Sequence, residues 1–127
     1  MKVKGTHYRS LWWNAQDDVL EIIDQRSLPY EFTIQQVRSL RDFEDSIVEM
    51  RVRGAPLIGA TAAYGMALAM NLDPSDTSMD AAWERLNATR PTAINLRWAL
   101  NRCRAALRPL APSDRATAAL TLAHEIA

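Results

Sequence analysis

Apolar residues recur along this chain with two different periods. Up to Gln35 the spacing is short. Tyr8 to Trp13 is an aromatic-rich run and Val19-Leu20-Glu21-Ile22-Ile23-Asp24 is a second apolar run. The polar stretch Asn14 to Asp18 between them has the composition of a hairpin loop. Leu28-Pro29 breaks the chain, and Tyr30-Glu31-Phe32-Thr33-Ile34-Gln35 then alternates apolar and polar at period two, the clearest strand signal in the sequence. The short connections predict a three-stranded antiparallel sheet.

From Ser39 onward the period is helical. Ser39 is placed to cap a helix with Leu40, Phe43, Ile47 and Met50 on its buried face. Leu57 to Met70 is rich in small residues and apolar nearly all round, which predicts a buried central helix. Asn71 to Asp76 reads as a loop, followed by helices over 78–87 and 92–107. In the second of these, Ala93, Leu96, Leu100, Cys103 and Leu107 form one stripe, which assigns Cys103 to the core as a small hydrophobe. Ser113 opens a last helix, 114–127, after Pro109 and Pro112. Ile126-Ala127 brings no glycine cap, no closing basic residue and no following proline, so the expectation is the front part of a longer protein. The expected fold is α+β: residues 1–38 a sheet subdomain and 39–127 a subdomain of about five helices, together one domain.

Composition narrows the class. The 127 residues suit one domain, and 48% apolar with 24% charged residues argues against disorder. No stretch approaches the ~20 apolar residues of a membrane span. Met1 to Thr6 has no apolar run behind its lysines, so it is not a secretory signal. Cys103 is the single cysteine and His7 and His124 are the only histidines, which argues against a disulfide or a zinc site. A soluble, cytoplasmic protein is expected.

The zero net charge hides an asymmetry. Thirteen of the 15 basic residues are arginine, and Arg85 to Arg108 holds six arginines and no acid. Arginine grips phosphate and carboxylate with two parallel hydrogen bonds, so an anionic ligand is one reading and solvent-facing helix flanks are the other. Neutrality overall, with Trp98 the only aromatic in the patch, argues against a nucleic-acid surface.

Two places share one grammar. Arg53-Gly54-Ala55-Pro56 leads into the helix at Leu57, and Arg90-Pro91 leads into the helix at Thr92. Proline is favoured at the first helical position. Each arginine is thereby expected at a helix N-terminus, where free N–H groups and the dipole favour an anion. Gly54 and Ala55 lack bulk, so a ligand can approach the backbone. Neither place matches the Walker or dinucleotide pattern. A nucleophile elbow and paired carboxylates are missing too. His7 and His124 read as structural, and Asp42, Glu44, Asp45 and Glu49 as a solvated face near Arg41 and Arg51. The residues alone stop at an anion-binding domain.

Three segments go further. Ile23-Asp24-Gln25-Arg26-Ser27-Leu28-Pro29, then Met50 to Gly59 around Arg53-Gly54-Ala55-Pro56, then Arg90-Pro91-Thr92-Ala93-Ile94-Asn95-Leu96-Arg97-Trp98-Ala99-Leu100, resemble the N-terminal domain of the methylthioribose-1-phosphate isomerase family. The resemblance spans essentially the whole chain. It implies a sheet-plus-helices domain placed before a Rossmann-like domain that is absent here. It also implies an aldose–ketose isomerase of methionine salvage, homodimeric at full length, converting methylthioribose 1-phosphate to methylthioribulose 1-phosphate. Arg53, Gly54, Ala55 and Arg90 match the family's substrate-binding motifs. Its catalytic cysteine and aspartate lie in the second domain, and Cys103 is not in that context. The fragment is therefore expected to bind a phosphorylated sugar and not to catalyse, with no metal or organic cofactor. The superfamily also holds regulatory subunits of the guanine-nucleotide exchange factor of eukaryotic translation initiation, and an isomerase of ribose 1,5-bisphosphate. The intact arginine-glycine-alanine-proline motif favours the isomerase, since a scaffold needs no phosphate grip.

Overall fold

The computed structural model describes residues 2–3, 6–7, 11–16, 19–23, 34–49 and 55–127. Two short strands, β1 (Lys2–Val3) and β2 (Thr6–His7), pair antiparallel. They are too short to leave a period in the sequence, and they place His7 in this ribbon. The expected three-stranded antiparallel sheet follows, with β4 (Val19–Ile23) between β3 (Leu11–Asn14) and β5 (Ile34–Val37).

Register assigns the faces. Trp13 lies opposite Leu20 and Leu20 opposite Val37, while Leu11 lies opposite Ile22. With side chains alternating along each strand, these residues share the face that joins the main core. On the other face Glu21 accepts hydrogen bonds from Trp12 Nε1 (3.1 Å) and Asn14 Nδ2 (3.0 Å), so its carboxylate is satisfied within the sheet. The third strand differs from expectation. Residues 30–33 lie outside the described ones, and the strand runs on to Val37. Val37 is buried whereas Ile34 is 41% exposed, so the tail of the alternation belongs to the opposite face. Gln35 takes a core-face position, and its buried Oε1 has no partner.

Among the described residues, five helices complete the α+β fold. α1 (Leu40–Val48) starts at Ser39, whose hydroxyl accepts from the Asp42 N–H (3.1 Å) while Asp42 accepts from the Ser39 N–H (3.2 Å). That reciprocal box is the expected cap with its other half supplied. Phe43 and Ile47 are buried as expected, and Met50 lies outside the described residues. α2 (Ala55–Leu72) is the central helix and packs against all four others. Its small residues permit this. A Cβ on Gly65 would stand 3.1 Å from Leu86 Cδ1 and 3.3 Å from Phe43 Cγ, so glycine lets α1 and α3 close in without displacing these side chains.

α3 (Asp76–Thr89) is capped by Ser75, whose Oγ accepts from the Ser78 N–H. α4 (Ile94–Leu107) buries Leu96, Leu100, Cys103 and Leu107 of the expected stripe and Ala99 beside them, while Ala93 is the N-cap and only half-buried. α5 (Pro112–Ile126) begins on its proline and docks along α2 through Ala119 and Ala123. Each large side chain buried here contributes roughly 1.5–3 kcal/mol. Phe43, Met66, Met70, Leu86 and Leu100 stand among them.

Candidate functional site

Of the four expected site residues, Arg53 and Gly54 lie outside the described residues. Ala55 is the first residue of α2, and Pro56 follows within the first turn. Arg90 is described fully, and its placement differs from expectation. α3 runs to Thr89 and Arg90 is its C-cap, with φ −149° and ψ 77°. The residue before a proline is pushed out of the helical region, so Pro91 stops α3 instead of starting α4. Residues 91–92 form a turn closed by the Ala93 N–H to the Arg90 carbonyl (3.0 Å), and α4 starts at Ile94.

The start of α4 is nonetheless open. Its N-cap is Ala93, extended at φ −77° and ψ 110°, and no side chain caps the helix. α1 and α3, by contrast, have serine caps. The first N–H groups of α4 thus keep their capacity for an acceptor, with the helix dipole behind them. A Cβ on Gly59 would lie 3.1 Å from the Asn95 carbonyl and 3.6 Å from Ala99 Cβ. Gly59 is one turn, about 6 Å, inside α2, and Asn95 is in the first turn of α4. The two helices therefore start at the same end of the bundle.

Beside this end lies a groove of about 340 Å³ between the 91–93 turn and the first turns of α4. Ile94 is 83% and Trp98 53% exposed along it. Arg97 Nη2 donates to the Pro91 carbonyl (2.8 Å) and braces the turn.

The arginine-rich segment resolves into individual duties. Arg85 pairs with Glu44, Arg102 with Glu125 (3.5 Å), and Arg108 with Asp80 and Asp76. The hydrogen bond to Asp80 raises the Arg108 pKa further above its ordinary value. Arg104 reaches Asp80 (3.9 Å) and lies 4.3 Å from the Trp83 ring. The patch without acids in sequence is thus matched by acids from other helices. Among the described residues, the Arg90 guanidinium has no hydrogen bond or ion pair, although the residue is half-buried.

One arginine escaped sequence reasoning. Arg115 is 4% exposed, and its Nε donates to the Leu107 and Leu110 carbonyls (3.1 and 3.2 Å). Nη2 donates to the Arg108 carbonyl, and Nη1 to the Pro74 carbonyl and Asp76. It ties the end of α4 and the start of α3 to α5. Its one sequence signal is its position just after a loop that leaves the last carbonyls of α4 without helical partners.

The remaining candidates are structural. Cys103 is fully buried, and desolvation pushes its thiol up to about 11, the nearby Arg102 charge opposing this only in part. His124 Nδ1 lies 2.7 Å from the Tyr64 hydroxyl, and its ring meets Trp13 and Tyr64 edge-on. Asp42 is spent on the α1 cap, and Glu44 and Asp45 on arginines. No group of three or more metal-ligating side chains occurs among the described residues, and no helix there is long and apolar enough to cross a membrane.

No family model matches the chain. Curated proteins do. Methylthioribose-1-phosphate isomerase from Brucella anthropi is 57% identical over all 127 residues, that from Sinorhizobium medicae 54%, and that from Escherichia coli O45:K1 47%. The chain is related over its whole length to the methylthioribose-1-phosphate isomerases. It spans about a third of the length of these relatives, 34–35%. Among solved structures, 5-methylthioribose 1-phosphate isomerase from Pyrococcus horikoshii OT3 matches with TM-score 0.83 and 32% identity, covering 94% of this chain and 35% of that one. Translation initiation factor eIF-2B subunit delta from A. fulgidus matches equally well in fold, with TM-score 0.83, 33% identity, and 94% and 36% coverage. The two structural likenesses do not separate an isomerase from an assembly subunit. The sequence identities of 47–57% favour the isomerases.

Proposed function

We propose that this chain is the phosphate-binding, N-terminal portion of a cytoplasmic, homodimeric aldose–ketose isomerase acting on methylthioribose 1-phosphate in methionine salvage. Arg53 and Arg90 grip the substrate phosphate, and Gly54 and Ala55 let it approach the backbone. The observation that supports this most directly is the close approach of Gly59 to Asn95, which brings the starts of α2 and α4 to one end of the bundle. The motif Arg53-Gly54-Ala55-Pro56 enters at the first helix start and Arg90 stands before the second. The uncapped N–H groups at the start of α4 and the Arg90 guanidinium, without a partner among the described residues, suit a dianion.

Moving hydrogen between C1 and C2 of an opened sugar needs an acid/base group in a dry pocket. In this reading the chain supplies the grip and one wall. Proton handling belongs to the two-thirds of the relatives' length that this chain does not span. A chimera tests the reading: this chain replaces the matching residues of the Brucella anthropi relative, and ketose formation is measured. The chimera should turn over and the 127-residue chain alone should not. A folded chimera without turnover, or a turnover by the chain alone comparable with the chimera's, overturns it.

A further inference from the structure

A second cavity, of about 240 Å³, opens between the three-stranded sheet and helices α1, α2 and α5. Among the described residues, Arg90 does not line it. Its floor is apolar, with Val37, Phe43 and Leu120, while Arg38, Asn71 and Thr117 are exposed at its rim.

One wall is aromatic and held in place. Trp13 stacks on Tyr64 at 5.7 Å between centroids and 8° between planes. The Tyr64 hydroxyl is fixed 2.7 Å from His124 Nδ1. Flat apolar surfaces of this kind take another ring by stacking or edge contact. Among the described residues, the rim carries one positive charge. Arg38 hydrogen-bonds the neutral side chain of Gln36, and among the described residues no carboxylate pairs with its guanidinium. Asp42 accepts from the Arg38 and Ser39 backbone N–H groups instead. Size sets the ligand. The cavity exceeds the ~150 Å³ that holds benzene and falls short of the roughly 300–1,000 Å³ of drug-sized pockets. It has room for one ring with a short arm.

We propose that this cavity binds a small aromatic monocarboxylate, its ring against the Trp13–Tyr64 wall and its carboxylate on Arg38, with Asn71 and Thr117 as neutral hydrogen-bonding partners. Arg90 is not among the residues of this site.

Phenylacetate and its neutral isostere phenylacetamide, titrated into the 127-residue chain and followed by amide and indole NMR shifts, test it. Phenylacetate should bind saturably and shift the Trp13 indole, and phenylacetamide should bind roughly tenfold more weakly, the loss of one charge-assisted hydrogen bond. Arg38→Gln, at an exposed position, should weaken phenylacetate roughly tenfold and leave phenylacetamide unchanged. Ala116→Phe, which fills the cavity from a half-buried position, should abolish both. Absence of saturable binding, a phenylacetate affinity that Arg38→Gln leaves unaltered, or shifts confined to Arg90 and Ala93 each overturn the proposal.

Discussion

Arg115 and Arg90 both stand beside a proline-containing turn that joins two helices, and the surroundings of their guanidinium groups differ. Arg115 is buried with its donors spread over four backbone carbonyls and the Asp76 carboxylate. Arg90 is half-buried and, among the described residues, its donors have no partner. A guanidinium has five N–H groups in a fixed fork, so a site that satisfies them all has committed the residue to the fold. One that leaves them open beside an uncapped helix start has kept it for something else. The distinction lies in the acceptors, not in the residue type.

The largest effect that sharpens this contrast is on stability. Arg115→Ala would strip the donors from the carbonyls of Pro74, Leu107, Arg108 and Leu110. The Leu107 carbonyl keeps the Leu110 N–H (3.0 Å), and leaving the other three part-buried acceptors unpaired should cost about 3–5 kcal/mol in denaturant melts. Arg115→Lys should recover only part, because one ammonium cannot span that set. A loss below about 1 kcal/mol would mean that water replaces the guanidinium and that Arg115 is not committed after all.

Arg90 should behave in the opposite way. In the chimera with the Brucella anthropi relative, Arg90→Ala and Arg53→Ala should each weaken binding of methylthioribose 1-phosphate by roughly ten- to a hundredfold. Arg→Lys should rescue partly, retaining the charge without the fork. Melting of the Arg90→Ala protein should barely change, since no bond within the described fold is lost. Unchanged affinity with a lowered melting temperature would place Arg90 beside Arg115 as a brace.

How much of this was legible in the sequence follows from the range of each interaction. Ser39 and Asp42 are three residues apart, and the cap was readable from one of them. The Cys103 stripe is a matter of period within one helix, and it too was readable. Arg90-Pro91 was misread because a proline both starts helices and stops the one before. Which it does depends on whether Ala88 and Thr89 extend α3, and they do. The acceptors of Arg115 reach back to Pro74, 41 residues away, so no local pattern announces them. The same holds for the acids that neutralise the arginine-rich segment, all of which come from other helices.

Cys103 belongs with Arg115 as a residue claimed by the fold, and pH exposes that. Its thiol is pushed by burial from its ordinary 9.0 up to about 11. The folded protein therefore holds this proton more tightly than the unfolded chain does. The resulting stabilisation is complete below pH 9 and disappears as pH rises through about 11. Cys103→Ala should cost roughly 1 kcal/mol at neutral pH through lost packing. It should also flatten the alkaline part of the stability profile and leave turnover of the chimera intact. A hundredfold loss of rate with stability preserved would reassign Cys103 to the chemistry.

The smallest effect separates the arginine from the helix behind it. Ala93 has the extended backbone of a cap residue but no oxygen to offer, whereas Ser39 and Ser75 each accept an N–H at 3.1 Å. Ala93→Ser should let the new hydroxyl accept the Leu96 N–H and raise stability by about 0.5–1 kcal/mol. That same N–H is one of those an anion at the start of α4 would use. If the phosphate rests on the helix start as well as on Arg90, the more stable chimera should bind substrate a few-fold more weakly. The two quantities then move in opposite directions, which an ordinary stabilising substitution does not produce. Higher stability with unaltered affinity would show that the helix start stays out of the site. Arg90 would then hold the phosphate without it, and the open cap of α4 would reflect only what alanine lacks.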